Sequence, residues 1–386
     1  MTRMKIGILT YHRSINYGAF LQSYALQKYV QKLMGPSAQV ELIDYQSQKA
    51  HENYIGLFSN ENGCNWKKFY QYLQFQRCVN VLPKSREKLV SDNLKEVQNF
   101  LQRENYNVII VGSDEIWKVD GMRGFPTAYW LNFDLENTIK VSYAASSRNQ
   151  VSSLKEFQKE YIKAALQQFS YVGVRDKVTE YLVDSLATGI QAQLNCDPTF
   201  LYSFGYDKAE YHKKFYQRYH IDNSKKLLGI MIHDEQLCKA IKQQYSDRYV
   251  IISLLDKLPS ADYNLVGLTP FEWVKIIGIL DILVTNRFHG TVFAIKNNVP
   301  FLAVDDYDEV DYSKIYDLLS RCNLINYYFS YQKAKTTQKR REIVSKIEKI
   351  REQSAQTDFS NVVKAEKKRA ESFQKYIEQI GGKKNE

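Results

Sequence analysis

The stretch from Asp281 to Val304 constrains this chain more than any other. An apolar run, Ile282–Val284, breaks into the turn Thr285-Asn286-Arg287-Phe288-His289-Gly290, resumes as a helical stretch to Asn297, and returns to an apolar run, Val299–Val304. Strand, polar turn, helix and strand in this order form a βαβ unit, so the chain must fold as α/β. The turn gathers a guanidinium, an imidazole and backbone N–H groups at a helix N-terminus. Such an end carries partial positive charge and unpaired donors, which suits a phosphate or a carboxylate. The work implied is gripping an anion and moving protons beside it.

The same grammar recurs along the chain. Lys5–Tyr11 reads as a first strand, His12–Gly18 as a loop, Ala19–Met34 as a helix stopped by Gly35-Pro36, and Gln39–Tyr45 as a second strand. This opening is Rossmann-like, but Gly18 stands alone where a dinucleotide fingerprint needs three glycines. Residues 48–105 are polar, aromatic and mostly helical in pattern, an expected helical insertion. Val108–Val111 is an uninterrupted apolar strand of the kind a parallel sheet buries on both faces. Ile139–Ala145 and Tyr171–Val174 follow as further strands, with a helix between them and another to Leu186. Periodicity restarts after about residue 205. Lys226–His233 and Tyr249–Leu254 read as strands around a helix, Gln236–Gln244, and Thr269-Pro-Phe-Glu272 is a capping box with proline at the first helical position. A chain of 386 residues exceeds one ordinary domain. The expected organisation is 1–205 as one Rossmann-like domain, 206–330 as a second, and 331–386 as a basic helical tail.

Charge and cysteine usage narrow the class. The net charge of +10 is concentrated in the tail: from Tyr331 onward there are 15 Lys and Arg against 8 Asp and Glu, leaving +7 there and +3 for the rest. A basic tail suits an anionic leaflet, nucleic acid or acidic glycan, or is simply a solvated helix face. No zinc-finger spacing or RNP-like motif accompanies it, so nucleic acid is not an expected partner. Five widely spaced cysteines without a CxxC pair fit reduced thiols rather than a disulfide framework or a zinc site, and no metal is expected. The apolar part of the N-terminus is short and strand-like, and nothing approaches a bilayer span, so the expected location is cytoplasmic or peripheral at the inner membrane face. Tyrosine is abundant, 29 residues, which suits a sugar- or peptide-binding surface and also follows from AT-rich coding.

Several polar residues fall where α/β proteins bind ligands, at the carboxyl ends of strands. Arg287 and His289 flank Phe288. Arg175 ends the strand Tyr171–Val174 and is either a second ligand cation or the partner of Asp176 or Asp184. Asp114, in Gly112-Ser113-Asp114, is a general base or hydroxyl acceptor, or else a helix cap. Asn16-Tyr17-Gly18 offers amides to an anion or is a plain turn. His12 and His233 each follow a strand and read more simply as satisfied loop histidines.

Six pieces in order resemble the polysaccharide pyruvyl transferase family: Asn16-Tyr-Gly-Ala-Phe-Leu-Gln-Ser-Tyr-Ala-Leu-Gln27, Val111-Gly-Ser-Asp-Glu-Ile-Trp117, Val141-Ser-Tyr-Ala-Ala-Ser146, Val174-Arg-Asp176, Asp197-Pro-Thr199 and Arg287-Phe-His-Gly-Thr291. The resemblance spans residues 5 to about 305. It implies a GT-B-type architecture, two Rossmann-like domains facing a cleft, with a helical C-terminal extension. The activity it implies is transfer of a pyruvyl group from phosphoenolpyruvate to a sugar, forming a ketal and releasing phosphate, without a cofactor. The setting would be exopolysaccharide, capsule or cell-wall biosynthesis. The acceptor would be a sugar on a polyprenyl carrier or a cell-wall polymer precursor. His289 and Asp114 are then the expected catalytic pair. Arg287, Arg175, Asn16, Gly18, Ser113, Gly290 and Thr291 are the expected substrate-binding set. Two other readings stay open: a GT-B glycosyltransferase using a nucleotide sugar, and a non-catalytic scaffold of polysaccharide assembly.

Overall fold

Short β-branched and apolar runs set up two parallel sheets, each flanked by helices. A computed structural model of the protein describes residues 3–60, 63–186, 189–305, 313–331, 336–353 and 357–382. The chain forms two compact units, one running to Tyr202 and resuming at Glu366, the other Ser203–Ala365.

The first unit begins β1 (Lys5–Leu9), α1 (Tyr17–Met34), β2 (Gln39–Leu42), β3 (Tyr45–Gln46), α2 (Gln48–Gly56), β4 (Ser59–Asn60), β5 (Gly63–Cys64), α3 (Trp66–Asn80), β6 (Leu89–Val90) and α4 (Leu94–Glu104). It continues with β7 (Val108–Val111), β8 (Ile139–Ala145), α5 (Glu156–Leu166), β9 (Tyr171–Val174), α6 (Lys177–Leu186) and β10 (Gln193–Leu194). Six of these strands form one parallel sheet in the order β10-β9-β8-β7-β1-β2. Helix α4 is the crossover from β2 to β7 and buries Val97, Phe100 and Leu101 in the core. The added part of the expected insertion is therefore the stretch before it, closed by the two-stranded β3–β6 ladder.

The second unit holds α7 (Lys208–Arg218), β11 (Lys226–Met231), α8 (Glu235–Tyr245), β12 (Tyr249–Ser253), β13 (Tyr263–Asn264), α9 (Pro270–Ile279), β14 (Ile282–Thr285) and α10 (Phe288–Lys296). After these come β15 (Phe301–Asp305), α11 (Lys314–Arg321), β16 (Tyr328–Ser330) and α12 (Thr337–Glu352). Its sheet is also parallel, in the order β13-β12-β11-β14-β15-β16. This is the doubly wound order 3-2-1-4-5-6, whose direction of winding reverses between its first and fourth strands, β11 and β14. The capping box forms as expected: Thr269 and Glu272 bond reciprocally, with Pro270 opening α9.

The expected separate tail from residue 331 is divided between the two units. Ile343, Ile347 and Ile350 of α12 are buried in the second unit's core. The unit boundary falls within α13 (Ser360–Lys368), and α14 (Glu371–Gly382) belongs to the first unit. There Phe373 packs on Tyr143 and Tyr171, with ring centroids 4.5 and 5.7 Å apart. The apolar spacing of α14 is what makes it part of a core rather than a solvated arm. No described helix is long and apolar enough to cross a membrane.

Candidate functional site

At the carboxyl edge of the first sheet, four of the sequence pieces meet at one guanidinium. Arg175 follows β9, and its side chain is 1% exposed. Nη1 donates to Asp197 Oδ2 at 2.9 Å and Nη2 to Asp114 Oδ1 at 3.2 Å, while its backbone N–H reaches the Ala145 carbonyl. Burial pulls the Arg175 pKa down, but Asp114 and Asp197 outweigh it, so the guanidinium holds its proton more tightly than usual. Asp197, fully enclosed, also accepts from the Thr199 N–H and hydroxyl. Asp176 does not pair with Arg175 in this way; its carboxylate accepts from the N–H and hydroxyl of Thr179 in α6.

Arg175 was expected to meet a ligand directly, but its enclosure makes it the clamp on Asp114. Asp114 keeps a 14% exposed side chain and a left-handed backbone, φ 80. It caps no helix, because β7 runs into bends here rather than a helix. Ser113 is fully buried, its hydroxyl donating to the Ala144 carbonyl and its N–H to Gln22 Oε1 of α1. Gly112 has φ +138, and a Cβ there would lie 2.0 Å from the Tyr143 carbonyl oxygen, so only glycine lets β7 and β8 approach this closely. Glu115 pairs with Arg148 at 3.2 Å. Asn16 caps α1, its Oδ1 accepting from the Ala19 N–H at 3.1 Å; Gly18 lies buried in the helix's first turn. His12 is wholly buried against Asp44, which also takes two bonds from Arg13.

The second unit presents a different edge. Arg287 is the exposed N-cap residue of α10, its own N–H bonded to Thr285 Oγ1 at 3.0 Å. Its Nη2 lies 2.8 Å from Nε2 of His233, and the other ring nitrogen of His233 pairs with the Asp256 carboxylate. Arginine can only donate and a carboxylate only accept, so these partners define an imidazole with its proton on Nδ1 and its Nε2 lone pair turned to the guanidinium. The three residues follow β12, β11 and β14, which are adjacent strands, and His233 and Arg287 straddle the point where winding reverses. Ligands of doubly wound sheets bind at that point.

His289, one residue into α10, is 8% exposed and stands edge-on to Phe288 at 5.3 Å. Thr291 is fully buried, its hydroxyl turned back to the Arg287 carbonyl. Gly290 packs α10 onto the sheet: a Cβ would lie 2.6 Å from Thr285 Oγ1 and 3.1 Å from Met231 Sδ. Arg287, His289, Gly290 and Thr291 thus share one helix start, with Gly290 and Thr291 building it. The His233–Asp256 pair was missed by sequence reasoning. The available signal was topological, since residues after the first and fourth strands of a doubly wound sheet become neighbours.

Two parallel six-stranded Rossmann-like sheets, each with polar groups at its carboxyl edge, are those of the GT-B fold class. Structures of that class match along nearly the whole chain. The UDP-GlcNAc 2-epimerase of Neisseria meningitidis, solved with UDP-GlcNAc, has a TM-score of 0.54 at 8% identity, covering 96% of this chain and 100% of its own. A glycosyltransferase of Rickettsia africae gives 0.53 at 11%, covering 98% and 99%. The MnaA–UDP structure of S. aureus gives 0.53 at 10%, covering 92% of each. These likenesses establish the fold. No protein of curated function matches the chain in sequence. The sequence model described as polysaccharide pyruvyl transferase matches residues 16–308, and the chain belongs to that family.

Proposed function

We propose that the protein transfers a pyruvyl group from phosphoenolpyruvate to a sugar of a cell-surface polysaccharide or its lipid-linked precursor. The observation that carries this reading is the start of α10, where an exposed arginine, braced by His233, occupies the N-cap position of a helix at the winding reversal of the sheet. Phosphoenolpyruvate carries a phosphate and a carboxylate, and a guanidinium with a helix N-terminus suits both. Family membership supports the same chemistry.

In this reaction a first sugar hydroxyl adds to C2 of the donor as C3 takes up a proton and becomes a methyl group. A second hydroxyl then bonds to C2 while the C2–O bond to phosphate breaks, leaving the ketal and inorganic phosphate. One hydroxyl proton is balanced by the proton gained at C3, and the other leaves with the base or the phosphate. We assign proton delivery at C3 to His289, donor binding to Arg287, and proton removal from the acceptor to Asp114 held by Arg175. No cofactor is invoked. The expected setting is the cytoplasmic face of the membrane, where lipid-linked precursors are assembled.

Isothermal titration with phosphoenolpyruvate tests the donor assignment. Arg287→Ala is expected to abolish binding with an unchanged unfolding curve. A variant that binds the donor as wild type does would overturn it. The fold is shared with proteins solved with UDP or UDP-GlcNAc, which keeps a nucleotide-sugar glycosyltransferase as the second reading. Thermal stabilisation by a nucleotide sugar and not by phosphoenolpyruvate would favour that reading. Polymer pyruvylation in cells that survives alanine at both Arg287 and His289 would instead indicate a scaffold.

A further inference from the structure

Helix α3 is apolar on two faces. Its inner face buries Phe75, Cys78 and Val79, with Phe75 against Tyr17 of α1 at 5.1 Å and Phe69 and Tyr72 against Phe58. Its outer face carries Trp66, 73% exposed, then Tyr70 and Leu73, 53% and 37% exposed. Spacings of four and three residues place these side chains in one stripe. Ten large apolar side chains are exposed among the described residues, and six of them lie between Ile55 and Val81, so the surface is concentrated here rather than scattered.

The charges on α3 are of one sign. Lys67, Lys68 and Arg77 lie on the helix, which has no Asp or Glu, and among the described residues none of the three has a carboxylate within 4.0 Å. Across residues 48–90 there are seven Lys and Arg against three Asp and Glu. Protein interfaces deplete lysine, whereas bilayer surfaces select Trp and Tyr at headgroup depth with Lys and Arg beside them. The helix is also tied to the ligand-binding edge of its own unit, since Arg13 Nη1 after β1 donates to Gln76 Oε1 at 3.1 Å.

We propose that the α3 stripe of Trp66, Tyr70 and Leu73, with Lys67, Lys68 and Arg77, docks the protein onto an anionic lipid bilayer. The purpose of docking rests on the reading of a lipid-linked acceptor. The binding itself does not, because vesicles present neither donor nor acceptor sugar. The stripe lies in the added segment between β2 and α4, so the attachment is a feature of that insertion rather than of the basic C-terminal helices.

Flotation of the full chain with phosphatidylglycerol–phosphatidylcholine vesicles tests this, with Trp fluorescence as a second readout. Trp117, Trp130 and Trp273 are buried, so a lipid-induced blue shift reports on Trp66. Wild type is expected to float and to shift. The triple variant Trp66→Asn, Tyr70→Asn, Leu73→Gln leaves the inner face intact and is expected to bind at least about tenfold more weakly with an unchanged melting curve. Replacing Lys67, Lys68 and Arg77 by Gln is expected to weaken binding to anionic vesicles by up to about a hundredfold at low salt. The proposal is overturned if wild type does not float, or if the triple variant floats equally well. It is also overturned if only Lys339→Gln with Arg341→Gln in α12 abolishes flotation, or if the stripe proves to join two copies of the chain by sedimentation. None of these results bears on donor binding, which the Arg287 titration decides separately.

Discussion

Replacing Arg175 and replacing Asp114 should separate the two halves of their ion pair. Arg175→Met keeps side-chain length and removes the charge. It takes the Nη1 donor away from Asp197, a carboxylate with no exposure that keeps the Thr199 N–H and hydroxyl. Removing one partner of a buried pair costs about 3–5 kcal/mol, so the first unit should lose about 4 kcal/mol. Asp114→Asn is milder. Its side chain is partly exposed, the amide oxygen still accepts from Nη2, and Arg175 keeps Asp197 at 2.9 Å, which places the loss near 1 kcal/mol. Urea unfolding followed by tryptophan emission reports on this unit through Trp117 and Trp130, stacked 5.1 Å apart in its core. Activity should rank the other way: Asp114→Asn should bind phosphoenolpyruvate normally yet release phosphate in the presence of acceptor about 10²–10⁴ times more slowly. Arg175→Met as stable as wild type would refute the clamp, and Asp114→Asn with full turnover would refute the assignment of the base.

Gly290→Ala should cost the second unit about 1–3 kcal/mol and weaken donor binding, because the new Cβ meets Thr285 Oγ1 and lifts α10 from the sheet; a variant of wild-type stability and affinity would contradict this. Phe373→Ala should destabilise the first unit by about 3–5 kcal/mol and leave unfolding of the second unchanged, which separate reporters in a urea titration check. Burial lowers the His12 pKa from its ordinary 6.5, and although burial pushes Asp44 up, the bonds from Arg13 and His12 hold it well below the carboxylate range. Both are depressed in the folded state, so their contribution is complete above the unfolded values. His12's part fades as pH falls from 6.5, and Asp44's only at still lower pH below about 4. His12→Gln should flatten stability against pH below 6.5, and a slope unchanged from wild type would exclude this origin.

What the sequence makes legible is whatever is local. Ile282–Val284 and Val108–Val111 are recognisable as buried strands because every residue is apolar, and α9 announces itself through Thr269, Pro270 and Glu272. β13 and β16, two and three residues long, are too short to carry such a period. Asp114 and Arg175 could be named as site residues from their places after strands. Their pairing could not, because it joins positions 61 residues apart and depends on Asp197 for its second half. His233 looked like an ordinary loop histidine for the same reason: Arg287 lies 54 residues further on, and only the order of strands brings them together. The return of α14 was hidden because a polar helix with two buried apolar residues, Phe373 and Ile377, resembles any solvated tail.

That return has a consequence for how the protein is made. When β9 leaves the ribosome, the surface of Tyr143 and Tyr171 that Phe373 will cover has nothing to cover it. All of the intervening second unit, Ser203–Ala365, must be translated first. At about 5–20 residues per second this is a delay on the order of ten to thirty seconds. During that time the nascent first unit is an unfinished core with an apolar face open to chaperones, and synthesis of α14, rather than emergence of its own sheet, completes it.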